Sequence, residues 1–87
     1  MYNVVVTKRA IKGIEKMPKI AQLSMANLLK DLKEFGPIQK GWSNFSKIGK
    51  NKFHCHLTHK WVACWEFYEN ILLIEVYYAG SRENAPY

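Results

Sequence analysis

The second half of the chain alternates apolar and polar residues with the period of β-strands. Three such segments cover residues 53–57, 61–68 and 71–79, and all three are rich in aromatic or β-branched residues. The polar breaks between them are only two or three residues long, which is too short for a crossover connection. We therefore predict an antiparallel meander of three strands.

Parity divides these strands into two faces, because successive side chains on a strand point to opposite sides of the sheet. One set is almost entirely apolar and predicts the core face: Phe53, Cys55, Leu57, Trp61, Ala63, Trp65, Phe67, Leu72, Ile74, Val76 and Tyr78. The other set, here called the histidine face, is predicted to face solvent: His54, His56, Val62, Cys64, Glu66, Tyr68, Ile71, Leu73, Glu75 and Tyr77. Imidazoles, carboxylates, a thiol and phenols share this face, so we look for function there.

The first half of the chain predicts a short strand over residues 2–6 and then two helices. Thr7 is a candidate N-cap for a first helix that begins at Lys8. Pro18 closes this helix or opens the second, which covers residues 19–34. The spacing predicts this buried stripe for the second helix: Ile20, Leu23, Leu28, Leu32 and Phe35, with Met25 and Leu29 beside it.

A strand, a helical hairpin and three further strands indicate an α+β fold, in which the helices pack on one face of a mainly antiparallel sheet. We expect the first strand to join that sheet, at an edge or beside the last strand. Residues 38–51 are polar and rich in lysine, and we interpret them as a long loop. The length of 87 residues predicts one domain, residues 1–87.

The placement of charge indicates a polyanionic partner. The net charge is +6, and residues 35–65 contain no Asp or Glu. That interval holds five lysines and all three histidines: Lys40, Lys47, Lys50, Lys52, Lys60, His54, His56 and His59. Nucleic acid is the partner that such a region favours, and a solvated lysine-rich loop is the alternative.

Other classes are less favoured. No segment has the length of a membrane span or signal peptide, and the charges do not lie on an amphipathic helix with a bulky apolar face, so we expect a cytoplasmic protein without a membrane partner. Cys55 and Cys64 have opposite parity, which favours free thiols in a reducing compartment.

The sequence resembles the RelE/ParE superfamily of bacterial toxins, with the RelE and HigB branches nearest. The resemblance covers the whole chain. Its most specific part is residues 76–83, Val-Tyr-Tyr-Ala-Gly-Ser-Arg-Glu, which is similar to the end of the family's last strand. Residues 45–50 resemble the family's Lys/Gly loop, and residues 52–57 resemble the basic strand that follows it.

The resemblance implies the toxin of a type II toxin–antitoxin module, an mRNA endonuclease that acts on the ribosome and is restrained by a cognate antitoxin. The chemistry is attack of a 2′-hydroxyl on the adjacent phosphate, with no metal or other cofactor. It needs a base, an acid and cationic stabilisation of the phosphorane.

Carried over residue by residue, the resemblance implies acid–base roles for His54 and His56. It implies phosphate stabilisation by Arg82 and a further role for Tyr87. The main departure is Val62, which stands where many active members carry an arginine.

The residues themselves add further candidates. Glu66 is a candidate base or histidine-orienting group, although a carboxylate at its position, like Glu75, more often pairs with lysine. The predicted RNA contacts are Lys47, Lys50, Lys52, Lys60 and Tyr77.

Several alternatives stay open. His54, His56 and Cys64 share a face and offer ligands for zinc, although no fourth ligand follows at a characteristic spacing. A ParE-like inhibitor of DNA gyrase and a catalytically decayed RNA- or antitoxin-binding module are the alternative functions. For residues 81–87, we favour a frayed terminus over a tail that Gly80 turns back onto the histidine face.

Overall fold

The computed structural model describes all 87 residues and consists of one five-stranded sheet with two helices on one face. The elements are β1 (Asn3–Val6), α1 (Lys8–Glu15), α2 (Lys19–Phe35), β2 (Ser46–Gly49), β3 (Lys52–His56), β4 (Trp61–Tyr68) and β5 (Leu73–Ser81). A 3₁₀ turn, Glu69–Ile71, joins β4 to β5.

The strand order is β1-β5-β4-β3-β2. β1 runs parallel to β5, and the other three pairs are antiparallel. This arrangement confirms the predicted α+β fold, the meander and the position of the first strand at an edge beside the last strand. None of the helices is long and apolar enough to cross a membrane.

The helix boundaries follow from local chemistry. Thr7 caps α1 as predicted, because its Oγ1 accepts a hydrogen bond from the Ala10 amide at 3.1 Å. Pro18 has an extended backbone and precedes α2, so it opens the second helix. Gly36 ends α2 with φ 94°, a conformation that favours glycine, and the Tyr2 ring lies where a Cβ would be.

The main core lies between the helices and the predicted core face of the sheet. Trp65 is fully buried at its centre, and its indole N–H donates to the Pro37 carbonyl at 3.0 Å. Phe45 stacks on Phe53 and on Trp65, with ring centroids 5.7 and 6.1 Å apart. These contacts fix the segment between α2 and β2 to the core.

The predicted stripe of α2 is wrong in part. The fully or almost fully buried residues are Ala21, Met25, Leu28 and Leu32. Ile20, Leu23 and Phe35 are instead 70%, 60% and 68% exposed. The buried residues follow an i, i+4, i+7, i+11 series, which is a continuous helical face, and small Ala21 begins it. The prediction assigned the larger apolar side chains Ile20, Leu23 and Phe35 to the buried face, although they lie beside it.

Part of the predicted loop over residues 38–51 is also wrong, because it contains the strand β2. Ser46 pairs with His54 of β3, and the pairing is irregular between Lys47 and Gly49. Asn51 closes the tight turn to β3 with φ 57°, which asparagine tolerates better than most residues. Four residues that include lysine and glycine carry too weak a strand signal to be found by alternation.

Two positions of the last strand were assigned wrongly. Cys64 pairs with Tyr78 and Trp65 with Val76, so one extra residue, Tyr77, forms a β-bulge. The bulge moves Tyr78 to the histidine face. Leu72 lies outside the strand, in the left-handed conformation that ends the 3₁₀ turn, and it is exposed.

The packing of α1 on β5 gives a test of the fold. A methyl group on Gly13 would overlap the carbonyl oxygen of Ala79, which cannot yield without moving the helix from the strand. We expect Gly13→Ala to lower the free energy of unfolding by roughly 1–3 kcal/mol, measured by urea denaturation. Gly41→Ala is the matched control, because nothing lies within 4 Å of its added methyl group. Equal stability of the two variants would contradict this packing.

Candidate functional site

The histidine face is only partly open to solvent, because part of it carries a second, smaller core. Val62 and Cys64 are completely buried there, next to Tyr78. Ile48 from β2 and Ala85 from the C-terminal tail pack against them. The apolar side chains that β4 places on this face therefore require a cover, and the tail provides part of it.

The tail, residues 82–87, returns over the histidine face, so the favoured prediction of a frayed terminus is wrong. The Arg82 amide donates to the Lys60 carbonyl at 2.8 Å, and the Ala85 amide donates to the Arg82 carbonyl at 3.3 Å. Tyr87 then reaches His54, with ring centroids 4.3 Å apart. The alternative, a tail that brings Arg82 and Tyr87 back to this face, describes the structure.

Gly80 does not form the turn that directs the tail back, as the alternative proposed. It lies inside β5, and the chain turns only after Ser81. A Cβ on Gly80 would come within 2.8 Å of the Tyr78 hydroxyl. That hydroxyl donates to the Ser81 carbonyl at 2.8 Å, which ties Tyr78 to the start of the turn. Glycine is thus required by the Tyr78 side chain that lies over it.

His54 lies on the predicted face but is only 7% exposed, so the prediction that it faces solvent is wrong. Its Nδ1 is 2.9 Å from the Ser46 hydroxyl of β2, and the His56 ring is 5.8 Å away. Burial lowers the pKa of His54, and the neighbouring His56 lowers it further, while a hydrogen bond to the backbone of Ser46 acts in the opposite direction. The imidazole is therefore held in its neutral form near pH 7.

His56 is more accessible to solvent than His54, and the charge of Arg82 reaches it. Burial lowers the pKa of His56 most, followed by the positive charge of Arg82 and by His59. Burial raises the pKa of Tyr87, and the charge of Arg82 opposes that effect. His54, His56, Arg82 and Tyr87, here called the His–Arg–Tyr cluster, therefore lie together at one end of the face.

Val62 stands where the resemblance expects an arginine, and it lies in the second core. It pairs with His56 on β3 and with Gly80 on β5, and it is fully buried. The position where the resemblance expects an arginine is therefore part of the second core. The cations beside it are Arg82, which is exposed, and Lys60, whose carbonyl holds the Arg82 amide.

A groove of about 1190 Å³ adjoins the cluster and shares Tyr87 with it. Its walls include Arg9, Lys50, Lys52, Glu66, Tyr68, Tyr77 and Tyr87. Lys52 Nζ lies 5.8 Å from the centre of the Tyr77 ring, within cation–π range. Burial raises the pKa of Tyr77 to about 12, so its hydroxyl is a hydrogen-bond donor at neutral pH. The groove thus combines cations with aromatic side chains.

The groove contains a residue that the sequence interpretation missed. Arg9, at the start of α1, lies in its wall and places its guanidinium 5.5 Å from the centre of the Tyr78 ring. No local pattern assigns an early helix residue to the opposite side of the sheet. Lys47 and Lys60 are exposed but lie outside the groove.

Glu66 is not brought to the His–Arg–Tyr cluster. It lies in the groove wall and is paired in register with Lys52 on one side and Glu75 on the other. The Tyr68 hydroxyl lies 3.2 Å from the Glu66 carboxylate and 3.3 Å from that of Glu75, and it can donate to one of them at a time. The hydrogen-bond partner of both carboxylates is thus a tyrosine, where we expected lysine.

The residues of the zinc alternative do not form a metal site. No group of three His, Cys, Asp or Glu side chains is arranged to hold a metal ion. Cys64 is completely buried, and burial raises the pKa of its thiol to about 12, so the thiolate that zinc needs is disfavoured.

Solved structures of bacterial and archaeal toxins share this fold. The chain superposes on the toxin in the archaeal RelE–RelB complex from Pyrococcus horikoshii with a TM-score of 0.76 and 13% identity, over 97% of this chain and 98% of that one. The isolated Escherichia coli RelE toxin gives 0.76 and 15% identity, over 99% and 89%. The YoeB–YefM complex from Staphylococcus aureus gives 0.70 and 14%, over 92% and 95%.

No protein-family model matches the sequence, and no curated protein matches it. At these identities the structural likeness defines the fold. The chain has the RelE-like fold that the resemblance implies.

The lowered pKa values of His54 and His56 predict an acid-sensitive fold. Below the ordinary histidine pKa of 6.5 the unfolded chain binds protons that the folded chain does not bind, so stability falls as the pH falls through this window. We expect a lower free energy of unfolding at about pH 5.5 than at about pH 7.5, measured by urea denaturation. Replacing His54 by Phe in a Ser46→Ala background should reduce this difference. Equal stability at the two pH values would contradict the burial of the histidines.

Proposed function

We propose that the protein is the toxin of a type II toxin–antitoxin module and cleaves messenger RNA on the ribosome. The RelE-like fold supports the toxin class, since the structures that share it are toxins. Fold alone does not define an activity. The endonuclease assignment therefore rests on the chemistry of the His–Arg–Tyr cluster.

One observation carries this proposal: the tail brings Arg82 and Tyr87 back to the histidines. The Tyr87 ring lies 4.3 Å from that of His54, which lies 5.8 Å from that of His56, and the charge of Arg82 acts on His56 and Tyr87. An imidazole, a guanidinium and a phenol thus share one electrostatic environment at the edge of a basic groove. RNA cleavage by its own 2′-hydroxyl needs a base, a cation for the phosphorane and an acid for the leaving 5′-oxygen. These three side chains supply each of those functions without a metal.

In the proposed reaction, neutral His56 accepts the proton of the 2′-hydroxyl while its oxygen attacks the adjacent phosphorus. Arg82 stabilises the charge that develops on the phosphoryl oxygens, for which a guanidinium is well suited. The bond to the 5′-oxygen breaks, that oxygen receives a proton from the Tyr87 hydroxyl, and a 2′,3′-cyclic phosphate remains. His54, proposed from the sequence as a second acid–base residue, lies behind Tyr87.

The groove is the proposed binding site for RNA next to the scissile phosphate. Arg9, Lys50 and Lys52 contact phosphates, and Tyr77 offers its ring or hydroxyl to a nucleotide. Lys47 and Lys60 extend the basic surface toward the ribosome. Glu66 lies in the groove wall and not in the cluster. We propose that it contacts RNA or orients the lysines of the groove.

We further propose that a protein antitoxin restrains the activity in the cytoplasm. Two solved structures with this fold are complexes of a toxin with its partner, RelE with RelB and YoeB with YefM. A basic chain of net charge +6 suits a partner with acidic side chains.

The test is primer extension on messenger bound to purified programmed ribosomes. We expect the protein to cut within the A-site codon, and Arg82→Ala to lower the rate by about 10²–10³, as loss of a transition-state donor does. His56→Ala should lower it by ~10²–10⁴, the usual contribution of a general acid or base. Lys33→Ala is the charge-matched control, because this exposed lysine lies on α2, on the other side of the sheet.

Other outcomes would redirect the assignment. Cleavage that survives both substitutions would remove the chemistry from the His–Arg–Tyr cluster. Growth arrest without cleavage would contradict the nuclease and favour inhibition of gyrase. Neither arrest nor cleavage would make the protein a binding module only.

A further inference from the structure

The surroundings of His54 are not those of a residue that contacts substrate. It is 7% exposed, its Nδ1 is engaged by the Ser46 hydroxyl, and the Tyr87 ring lies against it. We propose that His54 is a positioning residue: oriented by Ser46, it provides the surface on which the Tyr87 ring rests. The importance of Tyr87 to the reaction rests on the proposed function, whereas its placement by His54 does not.

The Ser46 contact fixes the imidazole. Ser46 is paired in register with His54 on the neighbouring strand, and its Oγ lies 2.9 Å from Nδ1. Because rotation of the ring would break this hydrogen bond, the bond holds the ring plane at one angle. β2 and β3 are both regular at this pair, so the orientation is set by the sheet.

Tyr87 has few other anchors. The hydrogen bonds of the tail end at Ala85, and Pro86 has no N–H to donate. Tyr87 takes part in none of the hydrogen bonds of the structure. Its specific contact is the His54 ring, at 4.3 Å between centroids and an angle of 52°. The last residue of the chain is thus located by packing on His54.

The position of Tyr87 connects the groove with the His–Arg–Tyr cluster. Tyr87 borders the groove, and the charge of Arg82 reaches it. If the Tyr87 ring lost its contact with His54, it would move away from the groove wall and from the charge of Arg82. The contact between Ser46, His54 and Tyr87 therefore joins the groove to the cluster, which makes Ser46 a part of the site, a role that the resemblance does not give it.

Two double variants separate a positioning role from a catalytic one. Ser46→Ala/His54→Phe keeps a flat ring beneath Tyr87 but has no imidazole nitrogen. Ser46→Ala/His54→Val keeps a strand-forming residue but has no flat ring. The two proteins differ in one side chain, and neither has an unpaired Ser46 hydroxyl.

The first measurement is ¹⁵N relaxation at the Tyr87 amide, which needs no ribosome. In the wild type and the Phe variant we expect an order parameter near that of rigid backbone, about 0.85, and in the Val variant a value below about 0.6. His56→Ala is the control and should leave the order of Tyr87 unchanged. A rigid Tyr87 in the Val variant, or a mobile one in the Phe variant or the wild type, would overturn the proposal.

The second measurement is cleavage on the ribosome. The Phe variant should retain activity within about tenfold of the wild type, because loss of a general acid or base would cost ~10²–10⁴. The Val variant should be the less active of the two. A Phe variant with rigid Tyr87 but a loss of 10²-fold or more would make His54 a catalytic residue and overturn the proposal. Absence of cleavage by the wild type would contradict the proposed function, while the relaxation data would still decide the placement of Tyr87.

Discussion

The β-bulge at Tyr77 is the constraint on which the histidine face depends. Without the extra residue, Tyr77 and Tyr78 would point to opposite faces of β5. With it, Tyr77 lies in the groove and Tyr78 packs on Val62 in the second core. Ala79 takes the place in the main core that a regular strand would give to Tyr78.

The bulge also determines the path of the tail. Tyr78 now lies over Gly80 and donates to the Ser81 carbonyl, so β5 ends where its own tyrosine can fix the turn. The tail then covers Val62 and Cys64, which would otherwise expose apolar surface. Burial of these side chains and delivery of Arg82 to the histidines are consequences of one backbone irregularity.

The parts of the fold that depend on local chemistry could be predicted from the sequence. The Thr7 cap, the strands β3 and β4 and the burial of Trp65 follow from alternation, capping and apolar character within a few residues. The choice of Ala21 over Ile20 for the buried face of α2 could not be predicted, because it depends on how the helix approaches a sheet formed later in the chain.

The candidate site was predictable in its residues and not in its geometry. Parity placed His54 and His56 on one face, and the resemblance added Arg82 and Tyr87. The bulge, the short strand β2 and the return of the tail decide which of these groups is covered. None of the three leaves a periodic signal, since a bulge is one extra residue and β2 has only four. Hence the burial of His54 and the role of Ser46 could be found only in the folded structure.

The electrostatics of the cluster constrain the direction of proton transfer in the proposed reaction. Burial and the charge of Arg82 both lower the pKa of His56, so the imidazole is neutral near pH 7 and begins as a base. Burial raises the pKa of Tyr87, so the phenol keeps its proton and can begin only as a donor. Near pH 7 the two groups therefore hold the protonation states that a base and an acid need. Within the His–Arg–Tyr cluster, Tyr87 is therefore better suited than His54 to protonate the leaving 5′-oxygen, because His54 is neutral and covered by Tyr87 itself.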